Sequence, residues 1–456
     1  MGRELKVTPV ISIPSGFMGE EPSKTGYWGF VRSRGDYEKE KGKVLEELRE
    51  LVEKLKDEGF EIALLPELEL PPRADAIMGV YDRIRGSDVA IYLTFAPPGD
   101  LCYALLEACR YLIFFEKFKP DTYAGTLFSP PRYQEMKSRG LGNRAFIVEG
   151  DMGKLARILR ALCGLKMLST SKPICVGPIN SGFGGWLSLA LAEEKFGCKI
   201  ARFYTYDQFV EGFERAWERR RDEAKAIADE FTSGAARIVE VDEENLLRAA
   251  TYHLVLRDYL KENGSDWVTV NCLSQLIGRV KATPCMSFAL LNDEGKVGTC
   301  EADPTAGPLH YLMRHISGRP AFFNDPTVNE KDSTLILAHC TSPTRLLGPD
   351  EPGFRYEVMT HHESNTSATV KPIYEKGTVT VAGLSFDYDE MLIVRGEVIG
   401  TPRLRICRSQ VEVKVNAPTE ILEDWRGFHW VMVYGDYVEE LLFVCKATGI
   451  KPITHL

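Results

Sequence analysis

The 456-residue chain lacks most of the short signatures that announce a chemistry on their own. It has no Walker A loop, no GxSxG elbow and no HExxH helix, which removes P-loop nucleotide chemistry, elbow-serine hydrolysis and zincin proteolysis. The glycine run GPINSGFGGW at 177–186 fails the GxGxxG spacing of a dinucleotide fingerprint. No CxxC pair occurs among the eleven cysteines, and their odd number disfavours a complete disulfide framework. Buried, reduced thiols in a cytoplasmic protein are the expectation; Cys102 and Cys109 sit seven apart, on one helical face. No apolar run nears the ~20 residues that span a bilayer; VAIYLTF at 89–95 is typical of the longest. The opening MGRELKVTPVISIPSG has no apolar core long enough for a secretory signal, and MGRELK lacks the Ser or Thr of a myristoylation motif. Basic excess is also missing: the formal net charge of −9 recommends no nucleic-acid partner. Internal repeats and low-complexity tracts are absent.

What is present is ordinary globular composition and a clear order of elements. At ~150 residues per domain the length suits about three domains, placed at 1–170, 171–340 and 341–456. In the first, LKVTPVISI, FEIALLP, VAIYLTF and RAFIVEG read as strands. Between them Leu45, Leu48, Val52 and Leu55 share a helical face that Gly59 can end, and Ile77, Val80, Tyr81 and Ile84 share another. A helix around Leu155–Leu162 closes the unit. The second begins near Ser171, with strands in KPICVGPIN, CKIARFY and WVTVNCL and helices at 186–195, 207–231, 242–261 and 305–316. Asp242 and Gly264 suit the two ends of the third of these helices. Leu309, Leu312, Met313 and Ile316 give the last one its apolar face, which leaves His310 and His315 as exposed positions. Alternating strands and helices imply two doubly wound, Rossmann-like α/β domains. After Thr341 the text becomes β-branched, alternating and glycine-punctuated, an antiparallel, barrel-like C-terminal domain.

The stretch from Cys300 to Cys340 carries the most chemistry. Glu301 follows a short strand, Asp325 ends the strand opened by FF, and LILAHC delivers His339. The expectation is three side chains at the carboxyl ends of three neighbouring strands, the edge where open α/β sheets bind ligands. Two carboxylates and an imidazole suit a divalent cation such as Mn2+. Each residue also has a plainer reading: acids cap loops, and a histidine in an apolar strand is often a satisfied core residue. His361 and His362, in the polar loop THHESNTS with Asn365, are either ligands, substrate contacts or solvated. His429 precedes an apolar strand in GFHWVMVYGD. The glycines of 177–186 make either a tight strand–helix turn or an anion contact.

Taken together and in order, these motifs resemble the L-fucose isomerase and L-arabinose isomerase superfamily, most strongly over about 270–450. GTCEADPTAGPLHYLMRHISGRPAFFNDP resembles the block in which a metal-binding Glu precedes a helix and a metal-binding Asp follows it. LILAHC is similar to the strand that carries a His, VKPIYEKGTVTVAGLSFDYDEMLIVRGEV to the C-terminal barrel segment, and GFHWVMVYGD to the motif of the last metal-binding His. The resemblance implies Glu301, Asp325 and His429 as ligands of Mn2+, with Mg2+ or Co2+ as substitutes. His339 matches a ligand in the arabinose branch and lies one layer behind the ligands in the fucose branch; an Asp at the second acidic position fits the fucose branch. The activity implied is aldose–ketose isomerisation of an open-chain pentose or 6-deoxyhexose through a cis-enediol(ate), with Glu301 and Asp325 moving protons and His361, His362 and Asn365 against the sugar. A homo-oligomer, trimer or hexamer, is implied too, in which one subunit's N-terminal domain covers a neighbour's pocket. The competing readings are another metal-dependent sugar reaction on the same scaffold, epimerisation or retro-aldol cleavage, and a sugar-binding protein without catalysis.

Overall fold

The computed structural model describes residues 2–12, 33–95, 98–116 and 129–456. The chain divides into two compact units, Met1–Lys166 with Lys446–Gly449 and Met167–Cys445 with Ile450–Leu456. No described helix is long and apolar enough to cross a membrane. All eleven cysteines are free thiols, ten of them buried.

The first unit holds β1 (Leu5–Ser12), β2 (Ile62–Leu64), β3 (Leu68–Leu70), β4 (Val89–Thr94), β5 (Tyr111–Glu116) and β6 (Ala145–Glu149). Ile13, the last residue of the first expected strand, lies outside the described residues. The strands pair in parallel in the order β2-β1-β4-β5-β6, with β3 beside the second half of β1. The sheet therefore grows both ways from its first strand, the doubly wound arrangement. β5 is buried along its whole length, as a strand covered on both faces must be. The helix Arg34–Asp57 buries Val44, Leu45, Leu48, Val52 and Leu55, and Ser33 caps it by accepting the Asp36 N–H at 3.1 Å.

The second unit contains β7 (Ile174–Val176), β8 (Arg202–Tyr204), β9 (Arg237–Ile238), β10 (Trp267–Val270), β11 (Val297–Cys300), β12 (Phe322–Asn329) and β13 (Thr334–His339). It continues with β14 (Tyr356–Met359), β15 (Thr369–Pro372), β16 (Gly377–Leu384), β17 (Glu390–Gly400), β18 (Ser409–Lys414), β19 (Trp430–Tyr434) and β20 (Lys451–His455). A second parallel sheet runs β11-β10-β7-β8. β16, β19, β12, β13, β18 and β17 pair antiparallel and close on one another through β16 and β17, with β20 added parallel to β17. The architecture is thus α/β with two doubly wound sheets and a closed C-terminal barrel. A small sheet, β15-β14-β9, stands apart.

Three local expectations need correction. β12 and β13 do not extend the parallel sheet; they are antiparallel barrel strands. Phe322 packs in the barrel core with Leu335, Leu337, Val381 and Trp430, whereas Phe323 joins the core of the parallel sheet with Val268 and Val270. A strand wedged between two cores is apolar on both faces, which is also how a parallel strand reads. The charged helix over 207–231 is two helices, Tyr206–Arg219 and Arg221–Ser233, broken at Arg220, whose guanidinium takes Glu223 at 2.8 Å and Asp258 at 2.5 Å. Finally, His310 is buried, not exposed. The barrel strands β16 and β19 pack against the helix Ala306–Ser317, and the Phe323 ring lies 6.0 Å from that of His310. Its Nε2–H donates to the Ala321 carbonyl at 2.9 Å, and burial holds its pKa down at about 4. His315 is half-buried against the Tyr311 ring.

Candidate metal centre

Two sheets supply the site, and their geometry explains how residues far apart in sequence meet. β11 ends at Cys300, and the chain leaves it through Glu301 and Ala302 at φ +60° and +49°. Two consecutive non-glycine residues in the left-handed region carry a cost of order 1–3 kcal/mol each, and such strain collects at functional sites. β12 pairs with β19 so that Asn324 faces Trp430 and Phe323 faces Val431. One further step of that register sets Asp325 opposite His429. On its other side Asp325 pairs with Ala338, which brings His339 alongside.

The side chains converge. His429 Nε2 lies 3.3 Å from Asp325 Oδ1 and 3.9 Å from Glu301 Oε2. His339 Nε2 lies 3.8 Å from Glu301 Oε1 and 4.0 Å from Asp325 Oδ2. One ligand atom each from Asp325, His339 and His429 fits within 4.8 Å of the others, as do those of Cys300, Glu301 and His339. Two part-buried carboxylates and two buried imidazoles at this spacing can hold one divalent cation.

A residue that the motif reading did not single out fixes the tautomer. Asp303 is 3% exposed; its Oδ1 accepts the N–H groups of Thr305 (2.7 Å) and Ala306 (2.9 Å), and its Oδ2 lies 2.7 Å from His429 Nδ1. A carboxylate only accepts, so Nδ1 carries the hydrogen and the lone pair of Nε2 faces the cluster. That Nε2 is buried and has no hydrogen-bond partner. A carboxylate behind a ligating imidazole is the usual support for a metal-bound histidine. The EADP text showed two acids two residues apart, which was the available signal. Phe183 and Phe323 flank the His429 ring at 4.6 and 4.5 Å. Phe183 comes from the glycine run, which folds as a tight turn: Asn180 Oδ1 accepts the Gly182 N–H at 2.9 Å, and Gly184 sits at φ +95°. A Cβ at Gly184 would fall 1.9 Å from Ser188 Oγ, so only glycine fits.

Electrostatics bind Glu301 and His339 into a unit. Burial disfavours charge on Glu301, but His339, then His429 and His361, outweigh it and hold the carboxyl below its usual range. Burial likewise opposes charge on His339, yet the Glu301 and Asp325 carboxylates raise it to about 9. His339 Nδ1 is 3.1 Å from Thr341 Oγ1. His361 is buried beside the cluster, with Nδ1 3.0 Å from Ser364 Oγ; burial and then His339 push its pKa to about 4. His362 is half-buried, and Asn365 is exposed at φ +52° in the same loop. Neither belongs to the four-residue cluster.

No family model matches the chain. It is similar to a sulfoquinovose isomerase of Clostridium sp. (strain MSTE9), 25% identical over 309 residues that cover 64% of this chain and 67% of that protein. The order of motifs and this similarity together support a relationship to the fucose/arabinose isomerase-like superfamily, without assigning a particular member.

Proposed function

We propose that the chain is a divalent-metal-dependent aldose–ketose isomerase that converts an open-chain pentose or 6-deoxyhexose through a cis-enediol(ate). The observation that carries this reading is the meeting of Glu301, Asp325, His339 and His429 around the unpartnered Nε2 of His429. Similarity to a sulfoquinovose isomerase supports the reaction class.

Glu301, Asp325 and His429 would hold the cation, with His339 completing or backing the set. When bound, it supplies Lewis acidity that offsets the charge developing on the two sugar oxygens. Glu301, kept ionised by its histidine neighbours, takes the proton from C2 and returns it to C1. Asp325, whose side chain is 38% exposed and so reaches the open side of the cluster, moves the hydroxyl proton between O1 and O2. Asp303 holds His429 in the one tautomer that leaves Nε2 free to ligate. Phe183 and Phe323 keep water from that ring.

The test is direct. Protein stripped of metal, then given Mn2+ or none, is incubated in D2O with pentoses and 6-deoxyhexoses, with and without acidic substituents, and followed by proton NMR. Metal-dependent aldose–ketose conversion is expected. Conversion that ignores metal removal, or a loaded protein inert to the whole panel, contradicts the proposal.

A further inference from the structure

A group of cations beside the candidate centre plays no part in the proton transfers. The register of β14 and β15 sets Glu357 directly opposite Lys371. Glu357 is buried; its Oε1 pairs with Arg403 at 2.9 Å and Arg237 at 3.1 Å, and its Oε2 is buried without a partner. Lys371 is 7% exposed, yet its ammonium makes no hydrogen bond or ion pair with any described residue. Burial, then the guanidiniums of Arg403, Arg408 and Arg237, lower its pKa, with Glu357 opposing. Arg408 pairs with Glu240 at 3.3 Å, and its Nε–H donates to the Thr360 carbonyl at 3.1 Å. Two ion-paired groups, Arg237 and Arg403 on Glu357 and Arg408 on Glu240, therefore act on Lys371, four cations against two carboxylates. Lys371 is largely covered but its ammonium has no acceptor of its own, and among like charges such a head is completed favourably by an anion.

The cluster adjoins the metal centre. Thr360, held by Arg408, precedes His361. The Arg408 backbone N–H donates to Cys340 Sγ at 3.4 Å, one residue past His339, and Ser409 pairs with His339 across β13 and β18.

We propose that Lys371, Arg403 and Arg408 bind a tetrahedral oxyanion carried by the substrate, so that the sugar handled at this centre is a sulfonated or phosphorylated one, its acidic group remote from C1 and C2. The proposal rests on the isomerase reading for the identity of the substrate, but the anion site itself does not. Three cations match the three free oxygens of such a group, and charge-assisted bonds to it are the strong kind.

Two measurements on the full-length, manganese-loaded protein test it. Inorganic sulfate and inorganic phosphate are titrated separately by calorimetry; saturable binding is expected, weakened at least tenfold in Lys371→Met and, independently, in Arg403→Gln. The tighter of the two names the oxyanion. Next, kcat/KM is compared for acidic aldoses and their neutral parents; the acidic-to-neutral ratio is expected to favour the acidic sugar and to fall at least tenfold in both variants. Absence of saturable anion binding, or variants that leave both binding and the ratio unchanged, overturns the proposal. Anion binding lost in the variants while no sugar is turned over supports the anion site and contradicts the isomerase reading. Turnover of neutral sugars with anion binding absent does the reverse.

Discussion

Replacing Asp303 by Asn probes the centre without touching a ligand. In the native site Oδ1 accepts two backbone N–H groups at the start of the helix Ala306–Ser317, and Oδ2 accepts from His429 Nδ1. An Asn can keep only one side of this arrangement. With its carbonyl on the Thr305 and Ala306 amides, its NH2 faces Nδ1 and forces the hydrogen onto Nε2, which then has no lone pair for a cation. With the amide turned over, NH2 opposes two N–H donors and the helix start loses its acceptors. The loss of a partner behind a ligand typically costs 10–100-fold in metal affinity, about 1.4–2.7 kcal/mol. The assay is Mn2+ titration of metal-free protein by EPR or calorimetry, with circular dichroism and thermal unfolding as controls. A folded Asp303→Asn protein with wild-type Mn2+ affinity would refute the tautomer argument.

Three further outcomes follow from the same geometry. Glu301→Gln keeps the fold but loses the base, so turnover drops ~10²–10⁴-fold; near wild-type rates in steady-state assays would remove Glu301 from proton transfer. His429→Ala lowers bound manganese measured by elemental analysis, and unchanged stoichiometry and affinity would count against its ligation. His310 gives a pH signature. Its folded pKa of about 4 lies below the 6.5 of the unfolded chain, so the unfolded state binds more protons as pH falls between these values. Stability is lost across that window, by about 3 kcal/mol once below pH ~4. His310→Gln should therefore lose less stability between pH 7 and 4 than wild type in denaturant titrations; parallel curves would contradict a buried neutral imidazole.

The doubly wound sheets were legible because apolar runs and helical faces alternate, and the barrel because its strands alternate and turn on glycine. The boundary between them was not. Phe322 and Phe323 serve two cores at once, and a strand covered on both faces looks the same whether its neighbours are parallel or antiparallel. Glu301, Asp325, His339 and His429 could be picked out by residue type and position, but the reason they meet differs from the one their spacing suggested. Asp325, His339 and His429 are joined by the register of β12 against β19 and β13, and Glu301 reaches them from the end of β11 in the other sheet, so the four do not stand on adjacent parallel strand tips. Asp303 escaped notice because its part depends on a histidine 126 residues away. Lys371 escaped because a lysine alternating within VKP reads as an outward-facing residue, and the arginines whose charge it feels lie on other segments.

Anomalous diffraction from crystals soaked in Mn2+ tests the shared centre most directly. A single strong peak within coordination distance of Glu301, Asp325 and His429 is expected, weakened or lost in His429→Ala. Manganese bound elsewhere, with those three side chains left metal-free at saturating Mn2+, would contradict it.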